Sequence, residues 1–125
     1  MMSRKALIID DSRGDFQLIK IYLLGVGWKD EILWASSGEE GLEIVRLEKP
    51  QVVFLDINMP GLDGFDVCKE LKLINKSIHI IMLSATKDPN ASIKAKECGA
   101  HGFCHKTGGS VFETLKYYYE STKSN

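Results

Sequence analysis

Short apolar runs alternate with helical patterns along the chain, and that alternation leaves few folds open. The runs are Ala6–Ile9, Ile32–Ala35, Val52–Leu55, Ile78–Leu83 and Gly102–Cys104. They lack strict polar alternation, as expected of strands buried on both faces. Between them apolar residues recur at helical spacing: Phe16, Ile19 and Leu23; Leu42 and Val45; Phe65, Cys68 and Leu71; Ile93 and Cys98; Phe112, Leu115 and Tyr119. Strand followed by helix, repeated along the chain, predicts parallel βα units. Right-handed crossovers then place helices on both faces of one five-stranded parallel sheet, a doubly wound α/β fold. Five units at about 25 residues each use all 125 residues within ordinary loop lengths. The expectation is a single domain over residues 1–125, ordered from about residue 4 to about residue 120, with no room for a second one.

Local signals agree with this layout. Ser12 with Asp15, Ser37 with Glu40 and Ser110 with Glu113 have capping-box spacing at helix starts. Asp88 before Pro89 reads as a cap followed by proline in the first helical position. Gly99 stands where a left-handed residue closes the fourth helix.

Composition narrows the function classes. Lys and Arg total 16 against 17 for Asp and Glu, a net charge of −1, so no bulk positive field draws the chain to nucleic acid. Apolar residues at 44% exclude a disordered acidic protein. The apolar runs are far too short to span a bilayer, and the few apolar residues between Lys5 and Asp10 are too short a stretch for a signal peptide. Cys68, Cys98 and Cys104 contain no Cys-x-x-Cys pair and read as reduced thiols. A cytoplasmic protein with no membrane or nucleic-acid partner is expected.

In a parallel sheet the carboxyl ends of the strands share one edge, and ligands bind there. The first strand runs into Asp10-Asp11, the third into Asp56, the fourth into Ser84 and the fifth into His105-Lys106. Clustered carboxylates repel one another unless a cation joins them, and an all-oxygen set with room for water suits Mg2+. A carboxylate can also act as a nucleophile and form an acyl phosphate. Mg2+ and Lys106 would balance charge on the transferred group while the Ser84 hydroxyl donates a hydrogen bond to it.

With these residues in place, the chain resembles the receiver domains of two-component response regulators, in length the single-domain chemotaxis-type members. The resemblance is carried by Leu7-Ile-Ile-Asp-Asp-Ser12, by Val52-Val-Phe-Leu-Asp-Ile-Asn-Met-Pro-Gly-Leu-Asp-Gly64, by Ile80-Ile-Met-Leu-Ser-Ala85 and by Gly99-Ala-His-Gly-Phe-Cys-His-Lys106. It covers essentially the whole chain and implies a flavodoxin-like fold with strand order 2-1-3-4-5. By resemblance Asp56 is the phosphoacceptor, Asp11 a direct Mg2+ ligand, Asp10 a ligand acting mainly through water, and Asn58 a ligand through its backbone carbonyl. Ser84 matches the switch hydroxyl, Phe103 the coupled switch aromatic and Lys106 the site lysine. The implied activity is acceptance of a phosphoryl group from a histidine kinase or a histidine phosphotransfer protein. The domain would catalyse only its own phosphorylation and hydrolysis, and so is a signalling protein rather than an enzyme. The first helix, with Arg13, Phe16 and Ile19, would dock the donor. The fourth helix, fifth strand and fifth helix would form the face read by a downstream protein. With no output domain expected, control would pass through that binding.

One departure from the family pattern is plain. Receivers usually carry a proline joined by a cis bond directly after the lysine, and here Thr107 stands there, followed by Gly108-Gly109. A cis bond to a non-proline residue costs roughly 2.5–4 kcal/mol, against about 0.5–1 for proline, so a trans Lys106–Thr107 peptide is expected. Asn58 and Thr86 flank the side from which a hydrolytic water would enter.

Other polar residues have simpler readings. Asp15, Asp63, Asp66 and Asp88 are expected to cap helices or face solvent, and His79, His101 and His105 to be structural. Trp28 and Trp34 are expected to pack, and Tyr117, Tyr118 and Tyr119 to divide between core and surface because successive helical residues point about 100° apart. A flavodoxin-like electron carrier would need a phosphate beside Asp10-Asp11, where carboxylates repel it. An aspartate-nucleophile phosphatase would need an acid where Asn58 stands.

Overall fold

The computed structural model describes residues 4–85, 88–106, 108 and 111–122. Strands and helices alternate: β1 (Ala6–Ile9), α1 (Arg13–Val26), β2 (Ile32–Ala35), α2 (Gly38–Glu48), β3 (Val52–Asp56), α3 (Gly64–Ile74), β4 (His79–Ser84), α4 (Ala91–Glu97), β5 (Gly102–His105) and α5 (Val111–Thr122). All pairings are parallel and the strand order is β2-β1-β3-β4-β5. The register sets Ile9 beside Leu55, Asp56 beside Leu83 and Ser84 beside His105, so the polar residues at the strand ends lie along one edge. β3 and β5 run one residue beyond their apolar runs, and β4 is shifted one residue later. The ladder continues through the buried polar ends: the Ile57 N–H donates to the Leu83 carbonyl at 2.9 Å and the Lys106 N–H to the Ser84 carbonyl at 2.8 Å.

Strand residues feed two cores by alternation. Leu7, Ile9, Val53, Leu55, Ile80 and Met82 pack with Val45, Val67, Leu71 and Ala95 beneath α2, α3 and α4. Ala6, Ile8, Phe54, Ile81 and Leu83 pack with Ile19, Leu23, Val111 and Leu115 beneath α1 and α5. Each fully buried Leu or Ile contributes about 2 kcal/mol, and burial on both sheet faces is why these strands read as unbroken apolar runs. Cys68, Cys98 and Cys104 are free and buried. Among the described residues no helix is long and apolar enough to cross a membrane.

The caps follow the sequence at three helices. Ser12 Oγ accepts the Asp15 N–H at 3.2 Å, Ser37 Oγ the Glu40 N–H at 3.1 Å, and Asp63 Oδ1 the Phe65 N–H at 2.7 Å. The fourth differs from expectation. α4 begins at Ala91 after Asn90, which makes no side-chain cap. Asp88 instead accepts the Asn90 N–H at 2.9 Å through its side chain and the Ala91 N–H at 3.1 Å through its carbonyl, which fixes a turn before the helix. α4 buries Ala91 and Ala95 while Ile93 is 57% exposed. Ile93 and Cys98 are five residues apart, a spacing that does not return to one helical face. Ser110, Thr107 and Thr86 lie outside the described residues, and with them the third capping pair and the Lys106–Thr107 peptide.

The far ends of the chain are joined beneath α1. The Arg4 guanidinium packs against the faces of Trp28 and Tyr119, 4.6 and 4.8 Å from their centroids, while the two rings meet each other at 5.6 Å. Its Nη2 donates to the Tyr119 carbonyl at 3.1 Å and to Thr122 Oγ1 at 2.7 Å. Tyr119 Oη in turn donates to the Gly27 carbonyl at 3.0 Å. Arg4→Ala is expected to lower stability by about 1–2 kcal/mol in urea unfolding, with Arg4→Lys recovering only part, since an ammonium keeps the charge but not the flat stacking surface or the forked donors of the guanidinium.

Candidate functional site

Four strands and the first turn of α1 deliver the site. Asp10 follows β1 and is fully buried. It is held from three sides: its N–H donates to the Ala35 carbonyl, its Oδ1 accepts the Ser12 N–H at 2.9 Å, and its carbonyl accepts the Trp34 indole N–H at 2.8 Å. Asp11 is exposed. Asp56, 2% exposed, closes β3 and accepts the Asn58 N–H on Oδ1 at 3.0 Å. α3 can approach this turn because its first residue is Gly64, where a Cβ would lie 2.6 Å from the Asp56 carbonyl oxygen. Asp10, Asp11 and Asp56 each offer a carboxylate oxygen within 4.8 Å of the others.

Lys106, buried after β5, answers these charges. Its Nζ lies 2.6 Å from Asp10 Oδ2, 2.9 Å from Asp15 Oδ2 and 3.1 Å from Asp56 Oδ2. Burial works against its ammonium, yet hydrogen bonds to Asp10 and Asp15 and the charges of Asp56 and Asp10 hold its pKa above the ordinary lysine range. Burial, and then the Asp10 charge, push the Asp56 carboxyl up to about 6 against the opposing pull of Lys106 and the Asn58 N–H. Anionic oxygens with one exposed member match a hard divalent cation such as Mg2+, which keeps waters and takes one or two carboxylates.

Ser84 is buried at the end of β4 and lines a hollow of about 230 Å3 with Ile57, Asn58, Asp63, Asp88 and Lys94. Phe103 is half-buried, its ring edge-on to His105 at 5.1 Å. Its N–H, on the outer edge of the sheet, donates to Tyr118 Oη at 3.1 Å. The Tyr118 ring occupies the space a Cβ on Gly102 would need, so glycine here lets α5 cover the edge strand.

A family profile described as the response regulator receiver domain matches residues 6–111. The chain belongs to this family. The receiver is 36% identical over 102 residues to sporulation initiation phosphotransferase F of Bacillus subtilis, a match covering 80% of this chain and 79% of that protein. It is 37% identical over 106 residues to the probable transcriptional regulator ycf27 of Porphyridium aerugineum, covering 85% of this chain but 43% of that one. The chain thus spans about half the length of some curated relatives. A putative response regulator from Chloroflexus aurantiacus superposes with a TM-score of 0.85 at 30% identity over 96% of this chain and 97% of that chain. Chemotaxis protein CheY4 of Vibrio cholerae does so at 0.82 and 28%, over 96% and 98%.

Within the receiver, the residues singled out at the strand ends divide in two. Asp10, Asp11, Asp56 and Lys106 converge, while Ser84 lines the adjoining hollow and Phe103 sits on the neighbouring edge. Two sequence expectations need correction. Asp15 is half-solvated, as expected, but it is not the acid of a reciprocal capping box, because its carboxylate pairs with Lys106. Both groups project from the same sheet edge with opposite charge, and that placement was the available signal. Ile19 is fully buried and cannot dock a donor; the outer face of α1 is carried by Arg13, Phe16, Gln17, Lys20, Ile21 and Leu24. Trp34 does more than pack: besides its bond to Asp10, it stacks on Phe16 at 5.1 Å. His79 and His101 stack at 4.5 Å beside the opposite ends of the strands, and His101 Nδ1 accepts the Ile80 N–H.

Proposed function

We propose that Asp56 accepts a phosphoryl group from a phosphohistidine and that the domain thereby switches a protein-binding face. The observation that carries this reading is the buried Lys106 ammonium within 3.1 Å of the Asp10 and Asp56 carboxylates, beside a cluster of oxygens suited to a cation. Asp56 attacks phosphorus, the P–N bond breaks, and its electron pair stays on that nitrogen of the imidazole, which leaves neutral because its other ring nitrogen carries a proton from the start. Phosphoryl transfer asks the protein for positioning and charge neutralisation. Asp11, Asp56, the Asn58 carbonyl and, through water, Asp10 would hold Mg2+, which supplies positive charge to the transferred oxygens when bound.

The remaining roles fall to the chain itself. The Asn58 N–H fixes the Asp56 carboxylate, Lys106 pairs with a phosphoryl oxygen, and the Ser84 hydroxyl donates to another. Drawing Ser84 and its loop inward makes room for Phe103 to turn in, and the face of α4, β5 and α5 changes with it. The phosphoryl group biases a two-state equilibrium through contacts that one state alone can make. A kinase or phosphotransfer protein would dock on the outer face of α1, and a downstream protein would read the switched face.

Incubation with Mg2+ and phosphoramidate tests the assignment by intact mass. The wild type is expected to gain one phosphoryl group and Asp56→Ala none. No gain in the wild type, or equal gain in both, would overturn it.

A further inference from the structure

Asp15 is committed to the site by its side chain and to its helix only by its backbone. The Ser12 cap uses the Asp15 N–H, so the carboxylate is free to reach across to Lys106 Nζ at 2.9 Å. An ammonium has three N–H donors. Three carboxylate oxygens, from Asp10, Asp15 and Asp56, lie within 3.1 Å of this one. A phosphoryl oxygen arriving on Asp56 needs one of those donors, so one carboxylate must yield.

The three are not equally able to do so. The Asp10 side chain has no exposure and its other oxygen is held by the Ser12 N–H. The Asp56 side chain is 3% exposed. Its phosphoryl group brings more negative charge and more acceptor oxygens than the carboxylate it consumes, so the lysine meets stronger competition even where Asp56 gives up its own donor. The Asp15 side chain is 41% exposed and regains water on letting go. Releasing a half-solvated carboxylate costs little, whereas stripping a buried one of its partner costs several kcal/mol.

We propose that Asp15 is a positioning residue that occupies the phosphoryl oxygen's place on Lys106 until phosphorylation displaces it. Its carboxylate competes with the phosphoryl group, so it weakens the phosphorylated form and holds the lysine pre-aimed in the free one. This inference rests on the phosphoacceptor reading of Asp56 and adds a residue to it.

Beryllofluoride, a non-covalent phosphoryl mimic, tests the competition in the presence of Mg2+. Binding is read by tryptophan fluorescence, since the Trp34 indole is bonded to the Asp10 carbonyl. Asp15→Asn keeps the backbone cap and removes the charge, and is expected to bind about five-fold more tightly, the scale of a half-exposed ion pair. Asp15→Glu restores the charge and is expected to return to within about two-fold of the wild type. Loss of an acid from the first turn would by itself weaken α1 and loosen the site, so tighter binding is not the signature of a structural role. Asparagine binding no more tightly than the wild type, or glutamate behaving like asparagine, would overturn the proposal. A wild type binding no better than Asp56→Ala would instead overturn the phosphoacceptor reading, and this inference would fall with it.

Discussion

Lys106→Met is expected to lower unfolding free energy by about 3–5 kcal/mol at pH 7 in a chelating buffer, the cost of removing one partner from a buried ion pair. The side chains of Lys106, Asp10 and Asp56 are 5%, 0% and 3% exposed, so water screens none of them. The Lys106–Asp15 contact adds little, because Asp15 is solvated. Methionine keeps the volume of the lysine stem, which separates loss of charge from loss of packing. Because the pKa of Lys106 is raised in the folded protein, its stabilising contribution is complete below the ordinary lysine range and is lost only as pH rises through the folded value. At pH 7 the wild type therefore has all of it. The deficit of the variant should shrink at pH 5, where Asp56 is protonated, and with millimolar Mg2+, which replaces the missing positive charge. Urea unfolding with and without Mg2+ at the two pH values checks all of this. A loss under about 1 kcal/mol in chelator at pH 7 would show that Lys106 does not balance the buried acids.

The outline of the fold was readable in the chain because strands buried on both faces leave little ambiguity. Ala6–Ile9 and Val52–Leu55 could only be interior strands, and the residues following them had to share an edge. The shared edge of parallel strands by itself brings Asp10, Asp11, Asp56 and Lys106 to one place. What it could not supply was direction around a helix at its first turn. Asp15 has the spacing of a capping residue from Ser12, and only the angle at which α1 leaves β1 turns its carboxylate toward Lys106 rather than solvent. Ile19 fails as a surface residue on different grounds: its helical spacing with Leu23 already marked the buried stripe, and its docking role came from the resemblance alone. The amphipathic pattern places Ile19 and Leu23 on one stripe, but which neighbours remain outside depends on how α1 packs against α5. At α4 the error was local: a side chain that hydrogen-bonds two residues ahead can hold a turn as readily as it starts a helix, and Asp88 does the former.

Asp56→Asn is expected to stabilise the cation-free protein at pH 7, the opposite of what loss of a buried acid with a lysine partner would suggest. Burial and the Asp10 charge outweigh Lys106 and raise the Asp56 carboxyl from 3.8 to about 6. A group whose pKa is raised on folding contributes stability at low pH, where it is protonated in both states, and loses it as pH rises through the folded value. Between pH 4 and pH 7 the wild type should lose about 2 kcal/mol from this carboxyl, and the asparagine variant should not. Asparagine keeps the shape and can still accept the Asn58 N–H, so the comparison isolates the charge. Mg2+ should stabilise the wild type more than the variant, because it binds the ionised cluster and removes the same repulsion. The measurement is a pair of urea-unfolding series across that pH range, with and without Mg2+. A flat wild-type profile in chelator, or a variant less stable than the wild type at pH 7, would mean that Lys106 fully compensates the acids. If the slope is found, repulsion among the carboxylates favours cation binding in the resting domain, and binding draws on energy stored when the strand ends were brought together.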